Sequence, residues 1–244
     1  MKVEGINPYA GDDRAKGSQV EAMFDSIAPA YDFMNRAMTF GIDRLWRRSA
    51  VRTVAAATPR TIVDIATGTG DLAIEMARKM PRATILGVDL SQGMLDIGAR
   101  KVAKAGLDGR ISFRQADCLA LPLEDNSTDA ITAAYGVRNF ADIRAGYAEM
   151  YRVLRPGGMI AVLELSTPTS PLVRPLYRLY TSTLVPLAGR LVSHDTSAYS
   201  YLPASIAAVP QGETMLDILR SVGFRDCKVR TFTFGTCSLY TAYK

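Results

Sequence analysis

The stretch Val63-Asp64-Ile65-Ala66-Thr67-Gly68-Thr69-Gly70-Asp71 decides the fold of this chain. A short apolar run rich in β-branched residues ends in a turn with two glycines, and a helical pattern over Asp71–Lys79 follows directly. Glycine at such a turn permits a tight bend and lets a ligand approach the main chain closely. The stretch therefore predicts the first strand, turn and helix of an open α/β sheet, with the turn at its ligand-binding edge.

The same alternation continues after this turn. Further strands are predicted at Ala83–Val88, Ile111–Ala116, Asp129–Ala134 and Met159–Leu165, and helices at Gln92–Ala105, Ala141–Leu154 and Glu213–Val222. The second helix of that set is expected to stop at Arg155-Pro156-Gly157-Gly158. Two last strands, Arg225–Phe232 and Thr236–Tyr243, meet at Gly235 and predict a hairpin. The pattern predicts an α/β, Rossmann-like, doubly wound and mostly parallel sheet of about seven strands with an antiparallel C-terminal hairpin.

Helical patterns also occur before the first predicted strand and in an insertion after the Met159–Leu165 strand. Between Val20 and Val54, apolar residues recur at helical spacing with breaks at Pro29 and Gly41, which predicts two or three helices before the first strand. The polar residues that precede them predict a loose arm. A long apolar insertion, Leu172–Val192, carries three arginines and no acidic residue and predicts a further helical cover.

Composition narrows the class of protein. The 244 residues are 48% hydrophobic and 22% charged, which is typical of a soluble globular chain and excludes disordered, collagen-like and coiled-coil proteins. No apolar run is long enough to span a bilayer and no signal-peptide pattern is present, so we expect a cytoplasmic protein. Cysteines are too few and scattered for a disulfide framework or a metal site: Cys118, Cys227 and Cys237.

The charge balance is mildly basic, at +5. The densest cluster, Arg44, Arg47, Arg48 and Arg52, has the spacing of one solvated helix face rather than of a nucleic-acid groove reader. We therefore expect no nucleic-acid partner. An anionic membrane surface or an acidic ligand remains compatible with this charge.

Two nucleotide-like ligands fit the glycine turn. Its Gly-x-Gly-x-x-Ala spacing matches a dinucleotide fingerprint loosely, which suggests a nicotinamide oxidoreductase. However, Asp64, Asp89 and Asp117 follow or end three successive strands, where they would repel a pyrophosphate and favour the cationic sulfonium of S-adenosylmethionine. Asp89 also stands where a carboxylate can accept hydrogen bonds from ribose hydroxyls. The residues favour a methyltransferase over an oxidoreductase or a binding module without catalysis.

Three further elements resemble one family of enzymes. They are Tyr31-Asp32-Phe33-Met34-Asn35-Arg36, Tyr135-Gly136-Val137-Arg138-Asn139-Phe140 and Arg152-Val153-Leu154-Arg155-Pro156-Gly157-Gly158-Met159. With these elements the chain, from about Val20 to Lys244, resembles the ubiquinone/menaquinone biosynthesis C-methyltransferases. The resemblance implies one class I methyltransferase domain over 1–244, with a helical cover at 1–55, a cofactor-binding core at 56–169, a substrate-side insertion at 170–210 and a final helix and hairpin at 211–244.

The resemblance also implies a cofactor, a substrate and a set of contacts. S-adenosylmethionine, which leaves as S-adenosylhomocysteine, is expected at Asp64, Gly68, Thr69, Gly70, Asp89, Asp117 and Cys118. The implied reaction is C-methylation of a polyprenyl hydroquinone, with 2-demethylmenaquinol converted to menaquinol. Benzoquinol methylation and O- or N-methylation of a small molecule or phospholipid remain alternatives. The chain departs from the family at Cys118, Asp43 and Thr39, where Ala, His and Ser are common.

Arg138 and Asn139 are the catalytic candidates that the resemblance implies. Arg138 is expected to stabilise a developing phenolate and Asn139 to hold a water or the substrate oxygen. The alternative pairs Arg138 with Asp142 or Glu164 and makes Asn139 the cap of the next helix.

Candidates on the substrate side are Tyr31, Asn35, His194, Tyr199 and Tyr201. The lone histidine can serve as a base or be structural, and the tyrosines can flank an aromatic ring or pack the cover. The apolar, arginine-bearing insertion predicts an entrance that touches the inner face of a membrane peripherally. Oligomeric state, prenyl length and the catalytic base stay open.

Overall fold

The computed structural model describes residues 3–9, 11–184 and 196–244. One sheet runs through the described residues, with strands β1 Thr61–Ile65, β2 Thr84–Asp89, β3 Ile111–Gln115, β4 Thr128–Ala134, β5 Leu154–Leu165, β6 Arg225–Phe232 and β7 Cys237–Tyr243. Their order is β3-β2-β1-β4-β5-β7-β6. Strands β1 to β5 pair in parallel, and β7 is antiparallel to β5 and β6. The predicted fold class, with its hairpin at the sheet edge, is confirmed.

Nine α-helices of the described part of the chain flank this sheet. They are α1 Lys16–Ile27, α2 Tyr31–Thr39, α3 Asp43–Ala56, α4 Asp71–Lys79, α5 Gln92–Lys104, α6 Ile143–Val153, α7 Val173–Leu179, α8 Thr196–Ala208 and α9 Glu213–Val222. Three helices precede β1, as the apolar spacing predicts. A π-helical turn, Tyr180–Leu184, continues α7. The remainder of the predicted insertion falls largely outside the described residues. Among the described helices, none is both long and apolar enough to cross a membrane.

The prediction of a loose N-terminal arm is wrong for residues 3–9. Val3 is fully buried and packs into the main core. The Lys16 ammonium donates to the Val3 carbonyl at 2.7 Å, and the Tyr9 N–H donates to the Gln19 amide oxygen at 3.2 Å. One apolar side chain and two polar contacts hold the segment, although its composition is polar.

The Arg155-Pro156-Gly157-Gly158 segment lies within β5 rather than in a turn before it. The register explains the difference, since Thr128 pairs with Leu154 but Ala130 pairs with Met159. The extra residues of β5 form a bulge, and Gly157 adopts a φ of +79° there. A strand can therefore contain residues that are typical of a turn.

The order of the sheet reverses at β1, so the turn after β1 lies beside β4 at a switch point, where open α/β sheets bind ligands. The ring of Phe113, on β3, fixes this turn. A Cβ added at Gly70, Gly87 or Gly98 would lie 2.8, 2.6 or 3.0 Å from that ring. Gly70 also has a φ of +76°. Three glycines from three elements thus make room for one aromatic ring under the turn.

Candidate active site

Two adjoining cavities open at the carboxyl edge of the parallel strands. The first is lined by residues at or just after the ends of the strands, among them Gly68, Asp89, Asp117, Cys118 and Asn139. The second is lined by polar residues that include Asp64, Gly68, Thr69 and Asn35. Tyr31 lines both. Of the predicted cofactor residues only Gly70 lines neither, because it is the N-cap of α4 and packs against Phe113.

Asp89 ties the glycine turn to the end of β2. Its carboxylate accepts hydrogen bonds from the N–H groups of Gly68 at 2.7 Å and Ser91 at 3.0 Å. Burial raises the pKa of Asp89, and these two donors oppose that rise. The carboxylate thus sets the shape of the turn while it lines the first cavity.

Asp117 and Cys118 follow β3 in the same cavity. The Asp117 carboxylate accepts from the Leu119 N–H at 2.9 Å, which fixes the bend of the chain. Cys118 is buried, and burial raises the pKa of its thiol well above the usual value. The neutral thiol therefore offers this cavity an apolar contact.

Asp64, an acid of the second cavity, is as deeply buried as Asp43, each with 1% of its surface exposed. It accepts hydrogen bonds from the hydroxyls of Thr67 at 2.6 Å and Thr132 at 2.5 Å. Burial raises its pKa to about 6 despite these donors. A carboxylate that lacks a cationic partner at close range is suited to bind a cationic group of a ligand.

Helix α1 covers the first cavity. The sequence predicted a helical cover at 1–55 but did not indicate which residues of it line this cavity. Val20 and Phe24 line the cavity from one face of this helix. The rings of Phe24 and Tyr31 meet edge to face, with centroids 5.9 Å apart. The i, i+4 spacing of Val20 and Phe24 was the available signal, but it does not distinguish a core face from a ligand cover.

Polar contacts hold α2 against the core beside the second cavity. The Thr69 hydroxyl donates to the Asp32 carboxylate at 2.6 Å. The Lys101 ammonium donates to Asp32 at 2.7 Å and to Thr69 at 3.0 Å, and it also binds Asp71. Asp32 and Lys101 are 69 residues apart in sequence, so no local pattern could have indicated this cluster.

Arg138 and Asn139 lie in a 3-10 turn, Val137–Asn139, directly after β4. The Arg138 guanidinium donates to the Glu164 carboxylate at 2.8 Å, and the Arg138 main-chain N–H donates to the same group at 3.0 Å. Arg138 is 6% exposed and Glu164 is 1% exposed. The structure thus contains the Arg138–Glu164 pair of the alternative interpretation. Asn139 is not a helix cap, because Asp142 caps α6 by accepting from the Ala145 N–H at 2.9 Å.

Four buried polar atoms have no hydrogen-bond partner among the described residues. They are the hydroxyls of Tyr135 and Tyr201, Nε of Arg138 and Oδ1 of Asn139. The Arg138 charge acts on the Tyr31 and Tyr201 hydroxyls, opposing the rise in pKa that burial causes in both. Unpaired buried polar atoms are costly and uncommon, so a cluster of them indicates a place for a polar ligand.

Two substrate-side candidates cannot be placed in this cluster. His194 lies outside the described residues. Of Tyr199 only the main chain is described, and it forms part of α8. Tyr201 lies two residues further along this helix and packs against Met23 and Met34.

The raised pKa of Asp64 predicts a pH-dependent stability. Because the folded-state pKa of about 6 lies above the usual 3.8, the free energy of unfolding falls as the pH rises from about 4 to about 6. Asp64→Asn should remove this loss, so the variant should gain roughly 3 kcal/mol over the wild type between pH 4 and pH 7. Urea denaturation without added ligand at several pH values measures it. The exposed Asp108→Asn is the control, and a gain that is flat with pH would contradict the assignment.

Comparison with known proteins places this site in a family. The model of the ubiE/COQ5 methyltransferase family matches residues 12–244. A demethylmenaquinone methyltransferase of Bacteroides fragilis is 47% identical over 99% of this chain and 98% of its own length. The ubiquinone/menaquinone biosynthesis C-methyltransferase UbiE of Geobacter sulfurreducens is 44% identical over 94% of this chain and 90% of its own.

A solved structure shows the same fold at lower identity. Phosphoethanolamine N-methyltransferase 2 of Haemonchus contortus, in complex with S-adenosyl-L-methionine, has a TM-score of 0.58 and 18% identity, and covers 76% of this chain and 48% of its own. The fold alone follows from that likeness. The family match and the close relatives extend along almost the whole sequence, and the chain belongs to the ubiE/COQ5 methyltransferase family.

Proposed function

We propose that this protein transfers a methyl group from S-adenosylmethionine to a ring carbon of a polyprenyl hydroquinone, converting 2-demethylmenaquinol to menaquinol in menaquinone biosynthesis. The name of the Bacteroides fragilis relative supports this substrate, at 47% identity. The observation that carries the proposal is the cluster of four unpaired buried polar atoms beside the two cavities. A hydroquinone presents two hydroxyl groups on an aromatic ring, which suits a cluster of polar atoms among tyrosines.

The residues that line the two cavities fit S-adenosylmethionine. The Asp89 carboxylate would hold the ribose, and Asp117 and Cys118 would border the adenine under the cover of α1. The buried Asp64 carboxylate, with its raised pKa, suits the cationic methionyl end. When bound, this cofactor supplies an electrophilic methyl group on a sulfonium.

The substrate must be in the reduced state, because an oxidised quinone ring is itself electrophilic. Loss of a phenolic proton moves electron density onto the adjacent ring carbon, which then becomes the nucleophile. Arg138 would stabilise that phenolate oxygen, since its Nε has no partner among the described residues while Glu164 binds its Nη1. Asn139 would accept a hydrogen bond from the second hydroxyl or from a water.

Tyrosines would orient the ring and exclude water from it. Tyr31 lines both cofactor cavities, and Tyr201 is 5% exposed with an unpaired hydroxyl. Alignment and dehydration provide much of the rate enhancement when the methyl donor is already activated. The protein therefore acts mainly by positioning the two reactants in a site from which water is excluded.

A benzoquinol is the second candidate substrate. The Geobacter sulfurreducens relative is named for both ubiquinone and menaquinone biosynthesis, at 44% identity. The site itself favours neither ring, because the unpaired atoms suit the hydroxyl groups that both rings share.

Incubation with methyl-labelled cofactor tests the proposal. Reduced demethylmenaquinone should acquire label on carbon, and the oxidised form should acquire none because its ring is electrophilic. The reduced benzoquinone counterpart is assayed in parallel. If neither reduced ring acquires label, the proposed function is wrong.

Asn139→Ala should lower kcat by about 10²-fold, because it removes a group that holds the reacting ring or its water. The free energy of unfolding should stay equal or rise, since the change removes an unpaired buried oxygen. The labelled-methyl assay and urea denaturation measure the two quantities. A fall in stability with an unchanged kcat would assign Asn139 a structural role instead.

We infer that this cytoplasmic protein contacts the inner face of the membrane peripherally, which a polyprenyl substrate requires. Exposed apolar side chains that we call the apolar rim support this inference: Phe40, Leu172, Leu176, Leu179 and Phe234. Phe40 is 85% exposed and Phe234 78% exposed. The exposed Arg174 and Arg178 on α7 would face anionic headgroups.

The double variant Leu172→Ser/Leu176→Ser should reduce vesicle binding about tenfold, because two exposed leucines would no longer leave water on binding. Co-sedimentation with vesicles of phosphatidylcholine and phosphatidylglycerol measures it. The control is Tyr243→Ser, whose exposed ring lies beside Met159 at the opposite edge of the sheet. Equal binding by the double variant and the wild type would contradict a role for α7 at the membrane.

A further inference from the structure

A third cavity, of about 710 Å³, lies outside the cofactor site. It is enclosed by α2, α3, α7 with its π-helical turn, α8 and the tip of the β6–β7 hairpin. We call it the apolar cavity, and its principal apolar lining is Met38, Ile42, Trp46, Leu165, Leu202 and Ile206. Neither the cofactor nor the four unpaired atoms accounts for it.

Several polar groups in the wall of the apolar cavity already have partners. The Trp46 indole N–H donates to the Thr233 hydroxyl at 2.9 Å. The Thr39 hydroxyl donates to the Asp43 carboxylate at 2.9 Å, and the Tyr180 hydroxyl donates to the Met38 carbonyl. Such a wall offers an occupant apolar contact and few free hydrogen bonds, in contrast to the unpaired cluster around Arg138.

The inner end of the apolar cavity adjoins the reacting site. Leu165 lines the cavity and directly follows Glu164, which binds Arg138. Helix α8 carries Tyr201, with its unpaired buried hydroxyl, and the next residue, Leu202, lines the apolar cavity. The two spaces therefore share the end of β5 and one helix as walls.

The outer end of the cavity meets the apolar rim. Phe40 follows the lining residue Thr39, and its ring lies 6.3 Å from that of Tyr180, centroid to centroid. Phe234 follows the lining residue Thr233. Exposed aromatic rings thus border the cavity, so an apolar chain could pass between it and a bilayer without crossing water.

We propose that the apolar cavity binds the isoprene units nearest the quinol ring, between the reacting cluster around Arg138 and the apolar rim. This assignment rests on the proposed function. It makes the tail a part of substrate recognition, because burial of its first units in a preformed apolar space contributes to binding and fixes the ring in position. The protein then selects prenylated rings over bare ones.

Substrates of increasing tail length test the assignment. The labelled-methyl assay compares a tail-free reduced naphthoquinone with the same ring carrying one and two isoprene units. The wild type should show kcat/KM rising with each unit. Leu202→Trp, which fills the cavity, should lower the ratio of kcat/KM for prenylated over tail-free substrate about tenfold, or ~1.4 kcal/mol, mainly through KM.

Two further variants keep the test decisive. Ala204→Trp places the same indole at an exposed position of α8. It should leave the ratio of kcat/KM for prenylated over tail-free substrate within about twofold of the wild-type value. Leu202→Phe is a smaller filling change, for use if Leu202→Trp lowers the thermal unfolding midpoint. An equal fall on all substrates, or a wild type without tail preference, would overturn the assignment while methylation itself persists. A wild type that methylates none of these rings overturns the proposed function, and this inference with it.

Discussion

The buried ion pair between Arg138 and Glu164 is the interaction on which the site depends. Two charges withdrawn from water at 2.8 Å are retained only when further hydrogen bonds satisfy them. Glu164 also accepts from the main-chain N–H groups of Arg138 and Leu165. The pair therefore joins the end of β5 to the turn after β4 and holds Nη1 of the guanidinium. The proposed chemistry uses Nε of Arg138, which is buried and has no hydrogen-bond partner among the described residues.

The protein has two kinds of cavity wall, which differ in whether their polar groups are hydrogen-bonded to neighbouring residues. Around Arg138, polar atoms are buried without partners in the described part of the chain, so the space suits a polar aromatic ring. In the apolar cavity the polar groups of Trp46, Thr39 and Tyr180 are bound to neighbouring residues, so the space suits hydrocarbon. A prenylated hydroquinone has this same division between head and tail. The two cavities thus match the head and the tail of such a substrate in hydrogen bonding as well as in shape.

Local patterns allowed the sheet, its hairpin and several residues that line the two cavities to be predicted, but not Val20 and Phe24 of α1. The turn after β1 and the carboxylates Asp64, Asp89 and Asp117 have signals within a few residues of each position. The role of Phe113 beneath three glycines, and the link from Asp32 to Lys101, depend on contacts between distant segments and leave no local signal. Arg138 had two interpretations because a charged residue at a strand end suits a salt bridge and a ligand equally well. The structure shows that it makes the salt bridge through Nη1, while Nε has no partner among the residues that the structure describes.

The contact with Phe113 shows that a glycine in this turn can be required by packing rather than by a ligand. Gly70 is required by its left-handed backbone and by the ring of Phe113, and it lines neither cofactor cavity. The fold therefore requires glycine at this position, independently of any ligand. A related protein that had lost the ability to bind the cofactor would still need Gly70 to fold. The glycine spacing therefore indicates common descent more reliably than it indicates activity. Asp89, whose carboxylate both shapes the turn and faces the cavity, would be the more informative position to inspect in such a protein.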